Sequence, residues 1–115
     1  MIKDSTAFRT LWVECPKRGG FEIEIIIGTP YEISDSEWAC AIKVHGLYDN
    51  LRDQHGVDSW QALMLAQRLA KTLLQGFVED GGRLFDCRGG SAVGVTPLFD
   101  GGVLSGSCGA QDVAG

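Results

Sequence analysis

The chain has 115 residues, of which 44% are apolar and 22% charged, with a formal net charge of −5. That is the length of one domain, with material for a core that needs no metal or disulfide staple. Ten Lys and Arg stand against fifteen Asp and Glu, with no basic run interleaved with aromatics, which excludes a nucleic-acid surface.

The first nine residues lack the apolar stretch of a secretory signal, and no apolar run is long enough to span a bilayer. The expectation is a cytoplasmic protein with no membrane partner. Residues 7–15 read as a first strand, because Leu11, Val13 and Cys15 alternate with Thr10, Trp12 and Glu14. Pro16-Lys17-Arg18-Gly19-Gly20 breaks the pattern as a hairpin loop. Phe21 to Ile27 form the strongest strand. Phe21, Ile23, Ile25 and Ile27 share one face, and Glu22, Glu24 and Ile26 the other.

Gly28-Thr29-Pro30 interrupts, and Tyr31-Glu32-Ile33 continues the strand before Ser34-Asp35-Ser36 turns the chain. Trp38, Cys40, Ile42 and Val44 then alternate with Glu37, Ala39, Ala41, Lys43 and His45. Residues 46–57 read as a polar connection. His45 reads as a surface histidine on the polar strand face.

Asp58 reads as a helix cap, able to accept from the backbone N–H of Trp60 or Gln61, with Gln61 reaching back to the Asp58 N–H. The helical period runs to Gln75, with Gly76 as the residue that ends it. At about 100° per residue, Leu63, Ala66, Leu69, Ala70, Leu73, Leu74 and Phe77 occupy one broad arc that faces a core. Trp60, Met64, Gln67 and Lys71 form a separate stripe outside that arc. If no loop or later segment covers it, this stripe is the candidate interaction surface for a protein partner or a homodimer.

Beyond the helix, Gly81-Gly82 reads as a turn and Arg83 to Cys87 as a short fourth strand. The segment 89–96 has the glycine spacing of a phosphate loop. It carries Val95 where the lysine is needed, and no helix is expected after it. Residues 1–99 are expected to form a single domain, and 100–115 a Gly-rich, loosely held tail. The fold class is α+β: an antiparallel meander of three to four strands packed on one main helix.

Cys15, Cys40, Cys87 and Cys108 are widely spaced, with no Cys-x-x-Cys pair, and neither His45 nor His55 stands at a metal-ligand spacing from them. Four free thiols, no metal and no cofactor are expected. Cys40, inside an apolar strand pattern, reads as a small buried hydrophobe. No nucleophile elbow and no His-Glu-x-x-His is present, so no catalytic residue is assigned.

Gly56-Val57-Asp58-Ser59-Trp60, followed by Ala62-Leu63 and a helix, resembles the phosphopantetheine attachment motif of acyl carrier proteins. That resemblance implies Ser59 as the modified residue. The family is all-helical, however, whereas the 45 residues before the motif here read as strands. An alternative carrier or enzyme site therefore comprises His55, Asp58 and Ser59. A broader resemblance, over roughly residues 20–98, is to a small bacterial family of unknown function. It rests on Trp38-Ala39-Cys40, the Gly-Val-Asp-Ser-x-Gln-Ala-Leu helix, Arg83-Leu84-Phe85 and Gly94-x-x-Pro97-Leu98. It implies an α+β fold and a bacterial source, and brings no catalytic residues. A non-enzymatic protein-binding module of immunity or accessory type is the expected role.

Overall fold

The computed structural model describes residues 5–100. Expectations for the first four residues, for Cys108 and for the tail beyond Asp100 lie outside them. The elements are β1 (Ser5–Cys15), β2 (Gly19–Gly28), β3 (Tyr31–Ser34), β4 (Glu37–Cys40), β5 (Ile42–His45), β6 (Gln54–Gly56), α1 (Ser59–Glu79), β7 (Arg83–Phe85) and α2 (Val95–Asp100). The α+β class stands, with every strand pairing antiparallel.

The strands divide between two sheets, ordered β5-β2-β1-β7 and β3-β4-β6. β1 and β2 form the expected hairpin, with Leu11 opposite Ile23 and Val13 opposite Phe21, so their apolar positions share one face. Leu11, Val13, Ile23, Ile25 and Ile27 are all buried.

The run from Trp38 to Val44 is not one strand, which corrects the sequence reading. It belongs to a long hairpin that bends from one sheet into the other. β2 pairs with β5 through Ile27–Ile42, and β3 pairs with β4 through Tyr31–Ala39. Between these, the Gly28 N–H donates to the Ala41 carbonyl at 2.8 Å, so pairing continues through the corner. Pro30 lies at this corner and cannot donate to a ladder. Ala39 and Cys40 are both fully buried although adjacent, because the chain is covered on both sides where it turns.

β6 corrects a second reading, that of 46–57 as only a polar connection. Trp38, Ala39 and Cys40 pair with Gly56, His55 and Gln54. The segment has little apolar content and is held by backbone bonding, so no periodicity announces it.

α1 lies across β2, β4, β5, β6 and β7 and buries Ala62, Ala66, Ala70, Leu74 and Phe77. Leu63, Leu69 and Leu73 pack partly buried beside them. Three alanines at i, i+4 spacing let the helix sit close to the sheet, since they have no bulk to hold it away. The approach is close at Gly56, where a Cβ would stand 2.6 Å from the Ala62 nitrogen.

The helix passes through Gly76 and ends at Glu79, one turn later than expected. Its end is a Schellman arrangement. The Gly81 N–H donates to Val78 O and the Gly82 N–H to Phe77 O, at 3.0 and 2.9 Å. Gly81 takes φ +102°, which only glycine adopts cheaply.

A further difference lies at 95–100, where α2 follows the glycine-spaced segment. The lysine that a phosphate loop needs is still missing. Cys15 and Cys40 are free thiols, but Cys87 is disulfide-bonded, which corrects the expectation of four thiols. Cys87 stands half-buried in the irregular segment after β7. Among the described residues, no helix is long and apolar enough to cross a membrane.

Candidate functional site

The start of α1 fixes which residues its free face presents. Asp58 is the N-cap, with Oδ1 accepting from the Gln61 N–H at 2.8 Å. The Gln61 side chain accepts from the Val57 N–H, also at 2.8 Å, one residue earlier than the reading placed it. The helix is thereby locked in rotation before its first turn is complete.

In that phase Trp60 is 73% exposed and Met64 46%, and Gln67 is exposed as well. Lys71 is half-buried, its Nζ 2.9 and 3.0 Å from the two carboxylate oxygens of Asp100. The end of α2 therefore meets the stripe at Lys71 through Asp100 and leaves Trp60, Met64 and Gln67 exposed. The loop 46–57 does not cover it either. Tyr48 of that loop donates to the Leu73 carbonyl at 3.3 Å, away from the stripe.

Val78 extends the stripe and was missed in the sequence because the helix was expected to stop at Gln75. It lies on the same line as Trp60, five full turns on at about 3.6 residues per turn, and is 40% exposed. The stripe thus has apolar side chains at both ends and polar ones between.

His55, Asp58 and Ser59 are neighbours in sequence with separate engagements. His55 Nδ1 is 2.8 Å from Glu37 Oε2 on the facing strand β4. The Asp58 carboxylate serves the helix cap, and Ser59 is exposed as the first helical residue. No hydrogen bond joins His55 to Asp58. Among the described residues, no group of three or more His, Cys, Asp and Glu comes together as a metal site.

A concavity elsewhere on the molecule was invisible in the sequence. An open cleft of about 1020 Å³ lies at the corner between the sheets, walled by residues 28–31, 41–43, 45, 48–51 and 53. Asn50, at φ +61°, turns the loop that closes it; asparagine is among the few residues that accept that conformation. The Tyr31 hydroxyl donates a short hydrogen bond to Asp53 Oδ2. That bond, with some desolvation and the carboxylate's charge, holds the phenol above the ordinary tyrosine value. Nearby, burial and then the charge of Asp53 push the Cys40 thiol up. Its Sγ donates to the Gly28 carbonyl at 3.2 Å, so Cys40 is an inert, buried thiol.

A family model described as a domain of unknown function (DUF6968) matches residues 7–96, which bears out the resemblance to such a family. No curated protein and no solved structure matches the chain.

Proposed function

Because the chain belongs to the DUF6968 family of domains of unknown function, membership brings no activity with it, and we propose from its own residues that it is a non-catalytic protein-binding module of accessory type. Its contact surface is the α1 stripe of Trp60, Met64, Gln67, Lys71 and Val78. The observation that carries this reading is Trp60, 73% exposed on the first turn of a capped, well-packed helix. A large aromatic left in water on such a helix is a contact group awaiting cover.

A second copy of the chain is the occupant that the pattern favours. Two stripes packed antiparallel bring Trp60 of one copy to Val78 of the other, and Gln67 to Lys71. The Lys71 charge is already balanced by Asp100, so two such lysines near the axis repel weakly. An aromatic side chain offers roughly 150–250 Å², and apolar burial is worth about 25 cal/mol per Å². Two tryptophans therefore supply several kcal/mol, against an association cost of at least about 4 kcal/mol. The expected dimer is weak, with Kd on the order of 10 µM to 1 mM.

Dilution followed by NMR tests the location. The Trp60 indole N–H and the backbone amides of Met64, Gln67 and Val78 should shift together as the protein is diluted. Concentration-dependent shifts confined to another surface, or none at all, contradict the proposal.

A further inference from the structure

The cleft between the sheets has a chemistry of its own, on elements that the α1 stripe does not share. Tyr31 and Tyr48 line it with Asp49 and Asp53, and these two carboxylates outweigh the ammonium of Lys43. Both tyrosine hydroxyls are already engaged: Tyr31 donates to Asp53 and Tyr48 to the Leu73 carbonyl. The Tyr31 ring, 46% exposed, is left for a ligand, whereas the Tyr48 ring packs against the core. The bond to Asp53 also feeds carboxylate charge into the Tyr31 phenol, which makes its ring face more attractive to a cation. Asp53 keeps Oδ1, and Asp49 both its oxygens, without a hydrogen-bond partner among the described residues.

We propose that this cleft binds a small organic cation, an ammonium or guanidinium group held against the Tyr31 ring and neutralised by Asp49 and Asp53. At about 1020 Å³ the cleft has room for such a group and the chain that bears it. Net charge assists, since an acidic protein draws cations toward it. A free amine and a methylated lysine side chain on a peptide present the same chemistry.

The test compares choline with dimethylbutanol, its uncharged carbon isostere, by NMR titration of the intact protein. Choline should shift amides in 28–31, 41–45 and 48–53 saturably, and bind about tenfold or more tighter than the isostere. Asp53→Asn and Tyr31→Leu should each weaken choline by about tenfold while the spectrum stays dispersed. Asp49→Asn, on an exposed loop, gives the same reading if either of those variants fails to fold. A trimethyl-lysine peptide that binds more tightly than choline identifies a peptide source, and equal affinity a free amine. Equal binding of choline and isostere, an absence of saturable shifts, or affinity unchanged in all three variants overturns the proposal.

Discussion

The Asp58 carboxylate and the Gln61 side chain close the start of α1 from both directions: Asp58 accepts from the Gln61 N–H, and Gln61 accepts from the N–H of Val57. Two backbone donors that would face water or nothing are thus bonded. The cap also sets the helix phase, on which the exposure of Trp60 depends. Asp58→Ala should cost about 1 kcal/mol, and Ser59→Ala, at an exposed first position, should stay within about 0.5 kcal/mol of wild type. Denaturant melts decide it. A larger loss at Ser59 contradicts this helix start.

The other end of α1 distinguishes three glycines. Gly76 lies within the helix, and a Cβ there would meet nothing within 4 Å. Gly76→Ala should therefore stabilise by about 0.5–1 kcal/mol, through lower entropy of the unfolded chain. Gly82 is the opposite case, since a Cβ would stand 2.4 Å from the Phe77 ring. Gly81→Ala is strained by its φ of +102°. Both should lower the melting temperature, and a rise at either would contradict the Schellman end.

Helix and sheet share one core, and its depth is uneven. Ile25→Ala and Leu74→Ala should each cost about 2–5 kcal/mol, because they delete buried methyl groups. Leu73→Ala should cost less than Leu74→Ala, since Leu73 is only partly buried. Glu24→Ala should cost little. Comparable losses at Glu24 and Ile25 would mean that the outer sheet face is covered too.

Much of this core was legible because it is periodic. The alternation in β1 and β2 and the helical arc from Leu63 to Phe77 each follow from a repeat that only one conformation satisfies. The split of Trp38–Val44 was not legible, because alternation runs unbroken through Ala41 while the bend is imposed by pairing with the Gly28–Pro30 corner. A Gly-x-Pro interruption facing that run was the available signal. β6 left no trace, since its three residues are fixed by the backbone of β4. The cleft was equally hidden: it is assembled from one corner and one loop, distant in sequence and without a shared period. The α1 stripe was legible from the wheel alone, except for Val78, lost with the misplaced helix end.

Tyr31 supplies a pH-dependent test. Its hydrogen bond to Asp53 raises its pKa above the ordinary value of 10.0 in the folded state. The stability linked to that bond is complete below the unfolded value and is lost as pH rises through the folded one. Spectrophotometric titration should show a tyrosine ionising late, and Asp53→Asn should bring it back toward the ordinary range. Identical titration curves for wild type and variant contradict the bond.

Sedimentation velocity of wild type and Met64→Lys at matched concentrations tests most directly whether the stripe led by Trp60 and Met64 is a contact surface. Over about 10 µM to 1 mM, wild type should pass from monomer toward dimer. Met64→Lys should remain monomeric while its unfolding stays as cooperative as wild type's. A wild type that is monomeric throughout, or a dimer that Met64→Lys leaves intact, contradicts the claim. So does a Met64→Lys chain that unfolds, because it would place Met64 in the core.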